Sequence, residues 1–227
     1  MTNSPQAAPN QAAPSKVVDL FFSFRSPYSY LITPRIVQLE KDYDVTVNVR
    51  PVYPIAVRIK DFFKEVNPLW PPYLLKDTVR VAQMEGMDYA WPSPDPIVMD
   101  LASGVVPEEQ PYIHRLTRLG VAAGEKGQAL PFISEIGKLT FGGVKNWHEG
   151  EHIAQATARA GLDLTELDQL IIDKADHYAA AITSNEAAQK AAGHWGVPLM
   201  AYENEPFFGQ DRISHLRWRL DQKNLKK

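Results

Sequence analysis

The spacing of hydrophobic and polar residues changes twice within the first fifty positions, and each change predicts a new element. Residues 17–24 are almost continuously apolar, which is typical of a short strand buried on both faces. Apolar residues then recur at helical spacing over 27–41, and valines alternate with polar residues over 44–51. The chain therefore begins as strand, helix, strand, an order that favours parallel strands joined by a right-handed crossover.

A long central part of the chain has helical periodicity. Gly86 and Gly161 suit helix ends there, since glycine readily adopts the left-handed conformation of a C-terminal cap. Three prolines within 91–96 predict a loop. The expected helices cover 72–86, 107–124, 131–141, 149–160, 164–177 and 179–195.

Strand patterns return only near the end of the chain. Residues 197–202 and 205–208 flank Glu203-Asn204, a pair that suits a tight hairpin turn. Residues 211–223 then have the pattern of an amphipathic helix. The complete order is βαβ, a long helical block and ββα, which predicts an α/β protein with a large all-helical insertion.

Composition narrows the classes of partner. The net charge of −3 argues against a general binder of nucleic acid or anionic membranes. No segment approaches the roughly 20 apolar residues of a membrane span. Residues 1–15 lack the basic and hydrophobic regions of a secretory signal. We therefore expect a disordered leader on a cytoplasmic protein whose partner is a small molecule.

The chain contains no cysteine, which excludes disulfides, thiolate metal sites and cysteine nucleophiles. His148 and His152 are four residues apart, but Gly150 lies between them and the H-E-x-x-H pattern of a helical zinc site is not met. No metal site is predicted. The other histidines, His194 among them, have no evident partner in the sequence.

The end of the first predicted strand carries the most informative motif. A strand followed by C-P-x-C at a helix start is typical of thioredoxin-type redox proteins. Here serines replace both cysteines, in Ser26-Pro27-Tyr28-Ser29. Serine before proline is an ordinary helix start, so Ser26 can be a simple N-cap. The same geometry suits the binding of another molecule's thiolate, to which the serine hydroxyl can donate a hydrogen bond.

Two further motifs lie near the C-terminus. Pro198 follows Val197 at the start of the third predicted strand, where proline is tolerated. In a thioredoxin-type scaffold a cis-proline at this point faces the site. Gln210 and Asp211 lie at the opening of the last helix, where aspartate is also a good cap. In the functional interpretation Asp211 faces an α-ammonium and nearby N–H groups take an α-carboxylate; a γ-glutamyl group carries both charges on one carbon.

The motifs F-x-F-x-S-P-Y-S-Y-L, G-V-P and F-F-G-Q-D-R occur in this order. With them the chain resembles the 2-hydroxychromene-2-carboxylate isomerases and the related kappa-class glutathione transferases, over about residues 16–220. The resemblance implies a DsbA-like thioredoxin fold, with a thioredoxin-like domain at 16–54 plus 196–227 and a helical insertion domain at 55–195. It also implies glutathione as the cofactor. Members of this family often dimerise, so a homodimer is one expectation.

The resemblance implies a role for individual residues. Ser26 matches the serine that contacts the glutathione sulfur. Arg25, at a position where related sequences commonly carry a small or apolar residue, Tyr28 and Trp70 are candidate substrate-binding residues on our interpretation of the residues themselves: Arg25 as the partner of a substrate carboxylate or a plain surface arginine, and Trp70 as a pocket wall or simple packing. The implied glutathione-binding residues are Asn67, Val197, Pro198, Gln210 and Asp211.

The implied activity, of the kind used in aromatic catabolism, is isomerisation of a small aromatic or unsaturated carboxylate by reversible addition of the glutathione thiolate. Two alternatives stay open on the residues. One is a glutathione transferase that uses the same pocket. The other is a non-catalytic thioredoxin-like binding protein that has lost catalysis with its cysteines. Consumption of glutathione separates the first two, and failure to bind glutathione favours the third.

Overall fold

The computed structural model describes residues 15–59, 61–100 and 105–227. The leader expected over 1–15 lies, apart from Ser15, outside the described residues. The strands are β1 Val17–Phe22, β2 Thr46–Pro51, β3 Leu199–Tyr202 and β4 Glu205–Phe208. The helices are α1 Pro27–Leu31, α2 Thr33–Asp42, α3 Ile55–Arg58, α4 Phe62–Glu65, α5 Trp70–Glu85, α6 Ile113–Glu125, α7 Ala129–Phe141, α8 His152–Arg159, α9 Leu164–Asp173, α10 Ala175–Ala191 and α11 Ile213–Gln222, with a 3-10 turn, Gln210–Arg212, before the last.

The four strands form one sheet in the order β2-β1-β3-β4. β1 and β2 are parallel, whereas β3 is antiparallel to both β1 and β4. In the turn between β3 and β4, Glu203 and Asn204 have φ of 48° and 66°, the left-handed values that a two-residue type I′ turn requires. The predicted parallel pairing and hairpin are both confirmed.

The second half of β1 is buried on both faces, as the apolar run Leu20-Phe21-Phe22 predicts, whereas Val17 is exposed and Asp19 is half-buried. Val18, Leu20 and Phe22 point into the main core, which they share with residues of the surrounding helices. Phe21 points to the opposite face and packs with Val52 and Leu199. Because side chains alternate across a strand, consecutive apolar residues are needed only where both faces of the strand are covered.

The helix expected over 27–41 is two helices, α1 and α2, that meet at Ile32. Pro34 has no N–H to donate to the carbonyl of Tyr30, four residues earlier. The hydroxyl of Thr33 donates to that carbonyl instead, at 2.8 Å. Proline therefore ends the first helix early and leaves α1 as a five-residue segment.

Several helices of the central block begin at other residues than their periodicity predicts. α5 begins at Trp70 rather than 72 because the two prolines that follow fall in its first turn, where a missing N–H breaks no helical bond. α6 begins six residues late because Gln110 bonds the backbone of Val98 in both directions and holds the preceding segment outside the helix. α8 begins after Gly150, whose φ of 54° is not helical.

The described residues between β2 and β3 form helices and loops, including the short α3 and α4 that the periodicity missed. The helices of this block and the sheet both contribute to the main hydrophobic core. The division into two domains at residues 54 and 196 stays a prediction. No helix among the described residues is long and apolar enough to cross a membrane.

Gly120 of α6 packs closely against Phe24, which follows the end of β1. A Cβ at Gly120 would lie 2.7 Å from Cε2 of Phe24, a buried ring held edge-on against Phe22 and Phe132. Gly120→Ala is therefore expected to lower the free energy of unfolding by about 1–3 kcal/mol. Gly124→Ala is the matched control, since its Cβ would meet only Ala129 at 3.8 Å.

Chemical denaturation of both variants checks this expectation. Alanine is the better helix former, so Gly124→Ala should be neutral or stabilising by up to about 1 kcal/mol. Equal stability changes in the two variants would show that close packing at Gly120 is not what requires glycine.

Candidate functional site

Ser26 lies at the junction of the sheet and α1, after the end of β1. It is the N-cap of α1: its Oγ accepts a hydrogen bond from the backbone N–H of Ser29 at 3.2 Å, and Pro27 occupies the first helical position. The same hydroxyl donates to the carbonyl oxygen of Val197 at 3.4 Å. Ser26 therefore has the capping role that its sequence predicts and also faces the start of β3.

The peptide bond between Val197 and Pro198 is cis, as expected for a proline at this place in the fold. Pro198 is buried and its carbonyl oxygen accepts from the N–H of Gly209 at 2.9 Å. The N–H of Val197 donates to no protein acceptor within the described residues. One backbone donor beside the Ser26 hydroxyl is thus available to a bound ligand.

The bond from Gly209 to Pro198 also fixes the turn that carries the other two expected ligand-binding residues. Gly209 has a φ of 103°, which few other residues adopt. Gln210 is buried, whereas the Asp211 side chain is 57% exposed and pairs with Arg212 at 2.6 Å. The capping role considered for Asp211 is wrong, because no side chain among the described residues caps this turn or α11.

Arg25, which precedes Ser26, is enclosed by the carboxylate of Asp95 and the rings of Phe63 and Trp91, a group that we call the Arg25 enclosure. Its Nε and Nη2 donate to the two carboxylate oxygens of Asp95 at 3.0 and 2.9 Å. Its guanidinium carbon lies 5.3 Å from the ring centres of both Phe63 and Trp91. The Trp91 indole also donates to Asp95 at 3.3 Å. Arg25 is therefore not a plain surface arginine, and Asp95 already balances its charge.

Tyr28 points from α1 toward α5. Its hydroxyl donates to Asp77 at 2.7 Å, and Arg80 pairs with the same carboxylate at 2.8 Å. Burial, followed by the hydrogen bond to Asp77, raises the pKa of Tyr28 well above its usual range. The phenol therefore stays protonated and acts as a hydrogen-bond donor at neutral pH.

Asn67 and Trp70 lie at the start of α5. The Asn67 side chain accepts from the backbone N–H of Leu69 at 3.0 Å, and no hydrogen bond joins Asn67 to Ser26 within the described residues. Trp70 is 40% exposed and packs edge-on against Phe62, whose ring contacts that of Phe63. Trp70 thus reaches the Arg25 enclosure only through intervening aromatic rings.

His194 has partners that the sequence did not indicate. Its ring stacks on Phe208 with centroids 3.8 Å apart, and its Nδ1 accepts from the N–H of Gly196 at 2.9 Å. Burial lowers the pKa of His194, which favours the neutral ring that can accept this bond. A Cβ at Gly196 would lie 2.3 Å from Cε2 of Phe208, so a larger residue before Val197 would require this ring to move.

Gln189 of α10 binds the backbone of the segment that leads to Val197. It is completely buried, and its Nε2 donates to the carbonyl of Gly196 at 2.8 Å. Its Oε1 accepts from Arg58 at 3.0 Å. These two residues and His194 hold the backbone that leads to the cis-proline. Among the described residues, no group of three or more histidine, aspartate or glutamate side chains is arranged to hold a metal ion.

Comparison with known proteins agrees with this geometry. The family model of the DSBA-like thioredoxin domain matches residues 17–221, nearly the whole chain. The chain belongs to the DSBA-like thioredoxin domain family. The predicted fold class, a thioredoxin-like sheet with a helical insertion, is confirmed by this match together with the single four-stranded sheet.

Individual relatives of this DSBA-like protein confirm the resemblance found in the motifs. It is 26% identical over 217 residues to a 2-hydroxychromene-2-carboxylate isomerase of Pseudomonas putida, covering 87% of this chain and 90% of the relative. A solved structure of 2-hydroxychromene-2-carboxylate isomerase superposes with a TM-score of 0.69 at 22% identity, covering 91% of this chain and 95% of that chain.

A third relative is similar in fold alone. The cytosolic disulfide reductase DsbM from Pseudomonas aeruginosa, solved with GSH, superposes with a TM-score of 0.57 at 14% identity. The superposition covers 90% of this chain and 99% of DsbM.

Proposed function

We propose that this DSBA-like protein binds glutathione beside Ser26 and uses it to isomerise a small aromatic or unsaturated carboxylate. The observation that carries the proposal is the Ser26 hydroxyl, which faces the cis Val197–Pro198 bond in a chain without cysteine. A thioredoxin-type site with serine in place of cysteine cannot exchange disulfides, but it can hold a thiolate that a ligand supplies. The isomerase relatives and the GSH-bound DsbM support the same proposal.

The residues present fit glutathione at both of its functional ends. The Ser26 hydroxyl has one proton, so it would leave the carbonyl of Val197 to donate to the sulfur, and the unpaired N–H of Val197 would donate to the cysteinyl carbonyl. The exposed carboxylate of Asp211 would face the γ-glutamyl ammonium, and Gln210 lies next to it for the carboxylate. Each contact pairs a donor with an acceptor, and opposite charges meet at Asp211.

When bound, glutathione would supply a thiolate that adds reversibly to an electrophilic carbon, so that a bond rotates or a ring reopens before the thiol leaves. Ser26 would hold the sulfur in its anionic form, since a hydrogen bond to the charged form of a group favours that form. Tyr28, kept protonated with its one hydroxyl proton donated to Asp77, would line the α5 side of the site. The overall reaction needs neither net oxidation nor net consumption of glutathione.

The first test is calorimetry with glutathione at millimolar concentration, in which we expect saturable binding. A panel of chromene and benzylidene-pyruvate carboxylates then follows, with free thiol measured alongside the product. Isomer formation at constant thiol supports the proposal, whereas loss of thiol with product indicates a kappa-type transferase. The absence of binding would instead favour a non-catalytic thioredoxin-like protein. A homodimer, a cytoplasmic location and roles for Asn67 and Trp70 stay predictions.

The Arg25–Asp95 pair yields a prediction about the substrate end. If Arg25 receives the substrate carboxylate, Asp95 competes with the substrate for the same guanidinium, which is only 17% exposed. Asp95→Asn should therefore lower KM for anionic substrates by about 3- to 10-fold, because one competing charge is removed. KM for a substrate's neutral amide should not change. Steady-state kinetics with the anionic substrate and its neutral amide checks this. If Asp95→Asn leaves the ratio of the two KM values unchanged, Arg25 does not bind the substrate carboxylate.

A further inference from the structure

Arg35, on α2, was not singled out by the sequence and joins three elements beside the proposed site. Its side chain is 22% exposed. Nη1 pairs with Glu85, the last residue of α5, at 3.2 Å. Nη2 donates to the carbonyl of Leu31 at 3.2 Å and to Oε1 of Gln210. One guanidinium thus connects the end of α1, the end of α5 and the turn that precedes α11.

The contact with Arg35 determines which way the Gln210 amide points. A guanidinium has only N–H groups and can donate but not accept. The oxygen of Gln210 must therefore face Arg35, and the NH2 group must point the other way. Within the described residues Nε2 of Gln210 makes no hydrogen bond, and it is not among the fully enclosed polar atoms without a partner. Gln210 is only 8% exposed, so this amide is held in place with two donors free.

The charges around the turn balance. Arg35 is paired with Glu85, and Arg212 is paired with Asp211. Asp211 also lies close enough to Arg35 for its charge to act on the guanidinium. A neutral surface that presents a free amide donor beside an exposed carboxylate is complementary to a zwitterion, whose carboxylate accepts and whose ammonium donates.

We propose that Arg35 is a positioning residue for recognition of an α-amino acid head group, because it turns the NH2 of Gln210 toward the α-carboxylate. This inference rests on the proposed binding of glutathione, whose γ-glutamyl end has such a head group. Arg35 itself touches no ligand. Its role is to keep Gln210 a donor, so that the site distinguishes a carboxylate-bearing γ-glutamyl group from one without it.

The test compares three ligands by calorimetry: glutathione, 4-aminobutyryl-Cys-Gly without the α-carboxylate, and glutaryl-Cys-Gly without the α-amine. The parent protein should bind glutathione at least about tenfold more tightly than either analogue, as expected for losing a hydrogen bond to a charged group. In Arg35→Met, the Kd of the carboxylate-free analogue should come to within about threefold of the Kd of glutathione. The ratio between the Kd of the amine-free analogue and that of glutathione should stay as in the parent. Arg35→Lys, which keeps a charged donor, should recover part of the lost ratio.

Gln210→Glu provides a second variant whose fold Arg35 should still support, since a carboxylate accepts from arginine at least as well as an amide does. It presents no donor, so it should lose the preference for the α-carboxylate completely. Arg115→Met is the matched control, because it removes another arginine–carboxylate pair, that between α6 and α9. Arg115→Met should keep both Kd ratios at the values of the parent.

The possible outcomes distinguish a failure of the role of Arg35 from a failure of the proposed binding of glutathione. If the parent binds none of the three ligands, the proposed function fails and the inference with it. If the parent discriminates but Arg35→Met keeps both ratios, only the role of Arg35 is overturned. If Arg35→Met does not fold, Gln210→Glu decides, and a preserved carboxylate ratio there overturns the inference.

Discussion

Ser26→Ala is expected to slow turnover about 10- to 100-fold, because a hydrogen bond to a charged group contributes about 1.5–3 kcal/mol. The affinity for glutathione should change by less than about threefold, since the other proposed contacts, at Val197 and at 210–211, do not involve the hydroxyl. Without the donor the bound thiolate is less stabilised, so the pKa of the bound thiol should rise. The ultraviolet absorbance of the thiolate, titrated in the complex, measures this shift.

The capping role of Ser26 must be separated from its proposed role at the sulfur. Loss of the cap alone predicts a decrease in stability of about 0.5–2 kcal/mol and an unchanged turnover per folded molecule. Asp163 is a matched control, since its side chain caps α9 by accepting from Glu166 at 2.8 Å. Asp163→Ala should lower the melting temperature without moving the thiol pKa. If Ser26→Ala behaves in the same way, Ser26 is a helix cap and nothing more.

Asp211→Asn is expected to weaken glutathione binding about tenfold, near the lower end of the range for a hydrogen bond to a charged group. Asp211 is well exposed and already paired with Arg212, so solvent and that partner reduce its contribution. Folding should lose less than about 1 kcal/mol, because the exposed pair is weak and Asp211 caps no helix.

Ionic strength distinguishes a lost charge contact from a general disturbance of the turn. The parent's affinity should fall as salt is added, because salt screens the exposed contact with the ammonium. The variant should show a weaker salt dependence. Asp44→Asn is the matched control: Asp44 is 56% exposed and pairs with Lys16 near the opposite end of β1 from Ser26. It should bind glutathione as the parent does, and equal affinity in Asp211→Asn would remove Asp211 from the site.

The elements next to the site were predictable because the signals for them are local. The apolar run Leu20-Phe21-Phe22 favours a strand buried on both faces, and Ser26-Pro27 is a favourable helix start through its cap and the fixed φ of proline. Glu203-Asn204 between two short apolar runs is sufficient for the hairpin. The Pro34 break in the first helix was equally local, since proline cannot donate to Tyr30, yet the apolar periodicity continued through it and concealed it.

The partners of Arg25 and Arg35 were not predictable from local sequence. Asp95 is 70 residues from Arg25, and Gln210 is 175 residues from Arg35. His194, in the loop that leads to β3, stacks on Phe208 of β4. These contacts depend on how the helical block folds over the sheet, and no periodicity in a single segment encodes them.

By itself, therefore, the sequence determined the order of the strands, the position of the helical block between them, the helix start at Ser26 and the loss of thiol chemistry, because each depends on residues adjacent in the chain or on composition. Only the tertiary structure decided that Asp95 neutralises Arg25, that Arg35 orients Gln210, and that the Ser26 hydroxyl reaches Val197. The physical reason is that charge balance and hydrogen-bond direction at a site depend on every group within a few ångströms, and in this fold those groups come from both ends and the middle of the chain.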